Sequence, residues 1–352
     1  MAKVLVAMSG GVDSSVAAYL LREQGHECIG ATMRLCTQQL LGGVEPADDV
    51  SDARAVCEAL KIPFIELDCV EEFERCVVRP FVESYEAGET PNPCITCNRC
   101  LKFGLMLNRA LELGCEFIAT GHYARVLRDE GDAPRLAKAV DETKDQSYVL
   151  YSVTPEQLQH VMLPLGSLMK PEVRAIAEEQ GLVTAHKSDS EDICFVPEGS
   201  YLDFLKRYAG IKGKPGDIVD SQGRVLGTHG GAIAYTIGQR KGLGIGGLGR
   251  PYYVCGKDMA SNSVVAGPLE ELFSKELVAR DWNWIAAAPN APLRVSVRTR
   301  YHQQEQEAVL NVLGNGRVHV GFDQPQRAIA PGQAIVAYEG DLVLGGGTIC
   351  CS

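Results

Sequence analysis

Three stretches of this sequence carry residue types whose spacing can do chemistry. The first is Val4-Leu5-Val6-Ala7-Met8-Ser9-Gly10-Gly11-Val12-Asp13-Ser14-Ser15. A short apolar run bends through two glycines into a helical pattern, where Val16, Ala17, Leu20 and Leu21 recur and Gly25 ends the helix. Without a Cβ, Gly10 and Gly11 let backbone approach an anion. The free N–H groups of the first helical turn, with the positive dipole end behind them, then point at it. Ser9, Ser14 and Ser15 add donors. Asp13 repels phosphate, so it fits a metal carried on the phosphate or a cap on the turn. The second stretch, residues 90–104, holds Cys94, Cys97 and Cys100 at C-x-x-C-x-x-C behind two prolines. The prolines predict an extended approach and a helix starting near Leu101. Cysteines there, beside Arg99 and Lys102, are expected to have a lowered pKa, making at least one a nucleophile or a metal ligand. The third, residues 184–195, puts Cys194 between Ile193 and Phe195; taken alone it reads as a buried thiol.

The elements that must position these groups alternate strand and helix. A strand is expected over 27–33, placing Met33 at its carboxyl end as a candidate for packing on a nucleotide base. A polar loop with Gly42, Gly43 and Pro46 follows, then a helix over 52–60, a strand over 63–67 and a helix over 71–86. The strand over 116–125 carries Gly121, which would let backbone approach a ligand, and His122, placed to touch substrate or phosphate. Residues 126–139, broken at Gly131-Asp132, read as a hairpin. Helices are expected over 158–163 and 170–180, the second started by Pro171. The alternation predicts a parallel sheet with helices on both faces. From Tyr201 the texture changes to short apolar runs and turns. A glycine-rich loop over 235–247 is expected to be mobile or shaped by a partner. Five or six strands beyond Trp282 predict a small antiparallel barrel. The organisation is thus 1–204 catalytic, 205–272 central and 273–352 barrel.

The chain has 352 residues, enough for two or three domains, with 45% hydrophobic and 22% charged residues. No apolar run is long enough for a membrane span, and the sequence runs directly into a strand with no signal peptide, so a cytoplasmic protein is expected. In that reducing setting the thirteen cysteines serve as core, ligands or nucleophiles; Cys28, Cys57, Cys69, Cys76 and Cys115 read as core. The net charge of −11 weighs mildly against nucleic acid, but local basic stretches exist: residues 206–241, and Arg294, Arg298 and Arg300 along one apparent strand.

The order S-G-G-x-D-S is neither a Walker loop nor a dinucleotide fingerprint; it resembles the pyrophosphate loop of the N-type ATP pyrophosphatases. With TPNPxxxCN, ATGHYAR, KDQSY, SxxICF and TIGQRKGLGIGG added, the chain is similar end to end to the tRNA 2-thiouridylases of the MnmA type. That resemblance implies ATP binding at Ala7, Met8, Ser9, Gly10, Gly11, Val12, Asp13, Ser14, Met33 and Gly121, with Mg²⁺. It implies tRNA contacts at Asn92, Pro93, Cys94, His122, Lys144, Asp145, Gln146, Arg300, Tyr301 and Gln333. It implies 2-thiolation of the wobble uridine of tRNAs of the Lys, Glu and Gln type. Cys194 would carry a persulfide from a cysteine desulfurase or a relay protein, Cys97 would be the nucleophile, and a redox disulfide Cys97–Cys194 would result. Many relatives have Asp where Cys94 stands. Cys94, Cys97, Cys100 and Cys194 are therefore candidates for a 4Fe–4S cluster, which would make the same thiolation cluster-dependent. A carbon–nitrogen ligase on the same loop is the other alternative; it would not need two remote thiols. A non-enzymatic RNA- or metal-binding module would leave the nucleotide loop idle.

Overall fold

The computed structural model describes residues 1–41, 49–129, 133–189, 193–196, 200–246 and 249–351. The expected loop glycines Gly42 and Gly43 with Pro46, the Gly131-Asp132 turn, Ser190 to Asp192 of the third stretch, and Gly247 lie outside the described residues.

The apolar runs of the N-terminal half form β1 (Lys3–Ala7), β2 (Glu27–Arg34), β3 (Phe64–Asp68) and β4 (Phe117–Ala119). Their sheet is parallel, with β3 and β2 on one side of β1 and β4 on the other. Val4, Leu5 and Val6 are fully buried, as a strand covered on both faces requires. The chain reverses its direction of winding between β1 and β4, so the crevice at their carboxyl ends is where such a sheet takes ligands. Between β1 and β2 lies α1 (Val12–Glu23), and Gly25 follows it at φ +83°.

Residues 125–137 form the expected hairpin, β5 (Arg125–Leu127) against β6 (Arg135–Ala137). Instead of the helix expected over 158–163, a single turn Pro155–Leu158, closed by a capping box at Thr154, leads into β7 (Val161–Met162). That strand extends the parallel sheet beside β4. The apolar spacing there served sheet burial, which a short run cannot distinguish from a helix face.

The central part is a four-stranded sheet built from β8 (Gly216–Val219), β9 (Val225–His229), β10 (Tyr253–Asp258) and β11 (Ser263–Gly267). Six strands then close a barrel: β12 (Phe273–Trp284), β13 (Leu293–Arg298), β14 (Gln306–Gly314), β15 (Arg317–Arg327), β16 (Ala334–Glu339) and β17 (Leu342–Ile349). Closure comes from β12, which pairs with both β15 and β17. The parts are interlocked. The β5–β6 hairpin joins the barrel sheet through Leu342↔Ala137. One core cluster runs from Phe103 and Tyr148 into Val336, Tyr338 and Val343, and the Tyr148 hydroxyl donates to Ala334 O at 2.8 Å.

Candidate active site: a nucleotide loop beside a thiol cluster

At the carboxyl end of β1 the chain turns through Gly10, at φ +69°. A Cβ there would sit 2.5 Å from Asp49 O, so only glycine fits. Ser14 and Ser15 donate back to Gly11 O at 3.0 and 2.9 Å, and the Ser9 N–H donates to Ser14 Oγ at 3.2 Å. Met8 and Val12 are buried, so what they can offer a nucleotide is backbone. Gly121 sits against the nucleotide loop itself. A Cβ on it would lie 2.7 Å from the Asp13–Ser14 peptide, so it lets α1 press against the end of β4. Met33, half-buried at the carboxyl end of β2, packs against the surrounding core.

Asp13 does not cap the helix; the residue at the cap is Gly11, with no side-chain bond. Its carboxylate instead takes hydrogen bonds from the Tyr123 hydroxyl at 2.8 Å and from Lys170 Nζ at 2.7 and 2.9 Å. Lys170, only 7% exposed, also pairs with Asp189 at 2.8 Å. Asp189 gathers Lys144 at 2.8 Å and Arg174 at 2.9 Å. Burial opposes its ionisation, but the hydrogen bonds from Lys144 and Lys170 outweigh that and hold its pKa down to about 2. Lys187 reaches Gly10 O at 3.0 Å and Asp52 at 2.5 Å. The loop is thus ringed by four cations paired with carboxylates. Lys170, Lys187 and Asp189 had no sequence signal of their own. Tyr123 could have been found, since it follows Gly121-His122 in a stretch already singled out.

His122 is linked to the thiols through Lys102. This histidine is 8% exposed and shares a 2.6 Å hydrogen bond with Thr120, while Lys102 Nζ approaches its Nε2 at 3.4 Å. Burial, and then the Lys102 charge, lower its pKa well below the usual histidine value, so it is neutral. Lys102 in turn acts on Cys94, Cys97 and Cys194.

The helix carrying the cysteines starts earlier than expected. Asn92 caps it by accepting from Cys94 N at 3.1 Å, and Pro93 takes the first helical position. Pro93–Cys97 runs without a break into a π-type stretch, Asn98–Met106. Cys97 therefore lies past the first turn, and the expected lowering of the thiol pKa values fails. Burial raises Cys97, Cys94 and Cys100, outweighing the attraction of Lys102 or Arg99. Cys194 is also pushed up, to about 12, by burial and then by Cys97, Cys36 and Cys94. Its residue nonetheless keeps solvent access, while Phe195 beside it is buried against Phe73 and Phe81. The structure thus brings Cys97 and Cys194 into one cluster. All thirteen cysteines are free thiols. Cys100 turns toward Cys76, and among the described residues no group of three or more His, Cys, Asp or Glu is gathered to hold a metal. The four thiols do not fit a 4Fe–4S cluster as they stand.

Several residues assigned to tRNA are engaged within the protein. Asp145 is 6% exposed and takes bonds from Ala139 N, Ser147 and Arg298. Gln146 accepts from Tyr123 N at 3.0 Å. Gln333 donates to Thr90 O at 2.7 Å, tying the barrel to the segment before Asn92. Arg300 donates to Ala328 O at 2.9 Å. Half-buried Tyr301 feels both Asp145 and Cys94, and burial foremost raises its pKa to about 12. Tyr301 thus brings the barrel within electrostatic reach of Cys94.

Three family models match in sequence: the tRNA methyl transferase HUP domain over residues 2–198, the tRNA methyl transferase PRC-barrel domain over 202–268, and the aminomethyltransferase beta-barrel domain over 274–349. Among solved structures, a U34-tRNA thiolase, NcsA, from Methanococcus maripaludis covers 59% of this chain and 71% of its own at 23% identity and a TM-score of 0.36. A 4-thiouridine synthetase in an RNA complex with bound ATP covers 59% of this chain and 50% of its own at 17% identity and a TM-score of 0.39. The full-length relatives are much nearer. The tRNA-specific 2-thiouridylase MnmA of Acetivibrio thermocellus is 48% identical over 99% of each chain, and that of Syntrophotalea carbinolica 50% identical over 98% of each. A nucleotide loop at the switch point, a thiol cluster beside it and similarity running the length of all three parts lead to one assignment: the chain belongs to the tRNA-specific 2-thiouridylase family.

Proposed function

We propose that this chain performs ATP-dependent 2-thiolation of the wobble uridine, position 34, of tRNA, as a tRNA-uridine 2-sulfurtransferase of the Lys, Glu and Gln acceptors. The observation that carries the reading is the coupling of Cys97 and Cys194, far apart in sequence, which Lys102, His122 and Gly121 link to the nucleotide loop.

The uridine turns out of the anticodon stack. Its C2 oxygen attacks the α-phosphorus of ATP, and pyrophosphate leaves. The backbone of residues 9–15 and the cations around it take up the charge that develops, Lys170 and Lys187 exchanging carboxylate for phosphate. Magnesium would ride mainly on phosphate and water with Asp13 as its one protein carboxylate, and it would neutralise phosphate charge. A persulfide on Cys194, received from a cysteine desulfurase or a relay protein, attacks C2 through its outer sulfur, and AMP leaves. Cys97 then attacks the inner sulfur, Sγ of Cys194. The S–S bond to the base breaks, 2-thiouridine is released, and a Cys97–Cys194 disulfide forms that takes two electrons to reopen. Burial keeps the uncharged Cys194 thiol protonated at neutral pH, so it stays unreactive until it is loaded.

The test is incubation with ATP, Mg²⁺, a persulfide donor and unmodified tRNA, followed by nucleoside mass spectrometry. The expected product is a wobble uridine with one oxygen exchanged for sulfur, and AMP formed in step with it. A carbon–nitrogen ligase would instead keep full activity with both cysteines replaced by alanine.

A further inference from the structure

A further pair of thiols, Cys100 and Cys76, lines a cavity that buried Cys69 also lines. Cys100 follows Cys97 within less than one turn of the same continuous helix. Its thiol lies within hydrogen-bonding reach of Cys76, on the neighbouring helix. Both cysteines sit in π-type stretches, Glu74–Val78 and Asn98–Met106, a distortion that recurs at functional positions. Both line the same cavity of about 610 Å³, together with Glu66, Glu72, Arg75 and Arg109. Cys76 is not the core residue expected from sequence; it is half-buried and faces this cavity. The thiols of Cys194, Cys97, Cys100 and Cys76 therefore form a continuous series running from the substrate side to the cavity.

We propose that Cys100 and Cys76 form a resolving dithiol that removes the Cys97–Cys194 disulfide from the active site and presents it, as a Cys76–Cys100 disulfide, to an external dithiol at the cavity. The inference rests on the turnover proposed above. The Cys100 thiolate attacks Sγ of Cys97; the Cys97–Cys194 bond breaks and Cys194 leaves as thiolate. Cys97-Asn98-Arg99-Cys100 is a C-x-x-C, a spacing at which helices carry redox disulfides. The Cys76 thiolate then attacks Sγ of Cys100, releasing Cys97 and forming Cys76–Cys100. Each step makes one S–S bond and breaks one, so electrons are conserved until an external dithiol supplies the final pair. Arg99 and Arg75 offset part of the effect of burial, which leaves the Cys100 pKa raised. Cys94 forms the other C-x-x-C with Cys97. Among the thiols it couples to Cys97 and Cys194, so passing the bond to it would leave the oxidised pair where the base must bind.

The experiment is a single turnover of the full chain with persulfide donor, ATP, Mg²⁺ and unmodified tRNA, without reductant. Samples are alkylated over time and peptide-mapped under non-reducing conditions. In the wild type, Cys97–Cys194 should rise first and fall as Cys76–Cys100 replaces it. Cys100→Ser should stop at Cys97–Cys194, and Cys76→Ser at Cys97–Cys100, each variant first shown by thermal melting to be folded. With an external dithiol added, multiple turnover should slow at least tenfold in both variants. A wild type that retains Cys97–Cys194 as fully as Cys100→Ser, or that accumulates Cys94–Cys97, overturns the relay while leaving the thiolation reading intact. Thiouridine formed with no disulfide at any time overturns both.

Discussion

The nucleotide loop and the thiol cluster, linked through the His122–Lys102 contact, are prepared for chemistry in opposite ways. Around the loop, charge is present and neutralised in advance: Lys170, Lys144, Arg174 and Lys187 are all paired with Asp13, Asp189, Asp49 or Asp52. A triphosphate has only to replace carboxylates in a field already oriented toward it. Around the thiols, reactivity is withheld: burial raises Cys94, Cys97, Cys100 and Cys194 alike, and one cation, Lys102, acts on three of them. In the proposed reaction the loop exchanges partners, and the cluster stays protonated until sulfur or tRNA arrives.

The largest effect that would break this division is at the thiols. Cys97→Ala and Cys194→Ala should each lower 2-thiouridine formation by about 10³-fold or more, as loss of a nucleophile does. Pyrophosphate release that depends on tRNA should continue. If both stop together, the two ends are not separable. Next, Lys170→Met should cut the ATP-dependent step by roughly 10²-fold, the scale for loss of one charge stabiliser. The alkylation rates of Cys97 and Cys194 should be unchanged. Third, Gly121→Ala forces a methyl to within 2.7 Å of the Asp13–Ser14 peptide. We expect a loss of about 1–3 kcal/mol in stability and a raised KM for ATP, read by chemical denaturation and steady-state kinetics.

Two milder tests sharpen the contrast. With its pKa near 12, Cys194 should hold only about one part in 10⁴ as thiolate at pH 8, so iodoacetamide should label it slowly despite its solvent access. The rate should climb tenfold per pH unit up to the limit of protein stability. Asp189 titrates the other way. Its folded pKa near 2 lies below the unfolded value, so its contribution to stability is complete above about pH 4 and lost as pH falls toward 2. Asp189→Asn should remove that part of the acid sensitivity: the variant should melt below the wild type at pH 7, and the difference should close as pH falls toward 2.

Much of the fold was legible because burial leaves a periodic trace. The strands at 27–33 and 63–67, the helix opened by Pro171 and the barrel strands beyond Trp282 all follow from apolar spacing and turn residues. Residues 158–163 misled, because a two-residue strand behind one helical turn has the spacing of a longer helix. The turn of the loop was legible, since the glycine it needs, Gly10, is local in sequence. The charges that serve it were not. Lys170, Lys187 and Asp189 come from distant segments, and nothing in a lysine's neighbours says which carboxylate it will meet. The cysteine motif was found, but its electrostatics were misjudged. The expected helix start at Leu101 put the thiols in the dipole's favour, whereas the Asn92 cap starts the helix at Pro93 and tertiary burial decides the pKa values.

The hairpin β5–β6 has a consequence for how this molecule can be cut. It belongs to the N-terminal half by chain position, yet hydrogen-bonds to the last barrel strand, with Arg125 and Lys138 gripping the turn at Gly340 and Asp341. A fragment ending after the first family match would strip that ribbon of its neighbour and bare the apolar flank of Tyr148, leaving an open seam prone to self-association. The boundaries along the chain are therefore not boundaries of cooperative melting, and the molecule should unfold in one step.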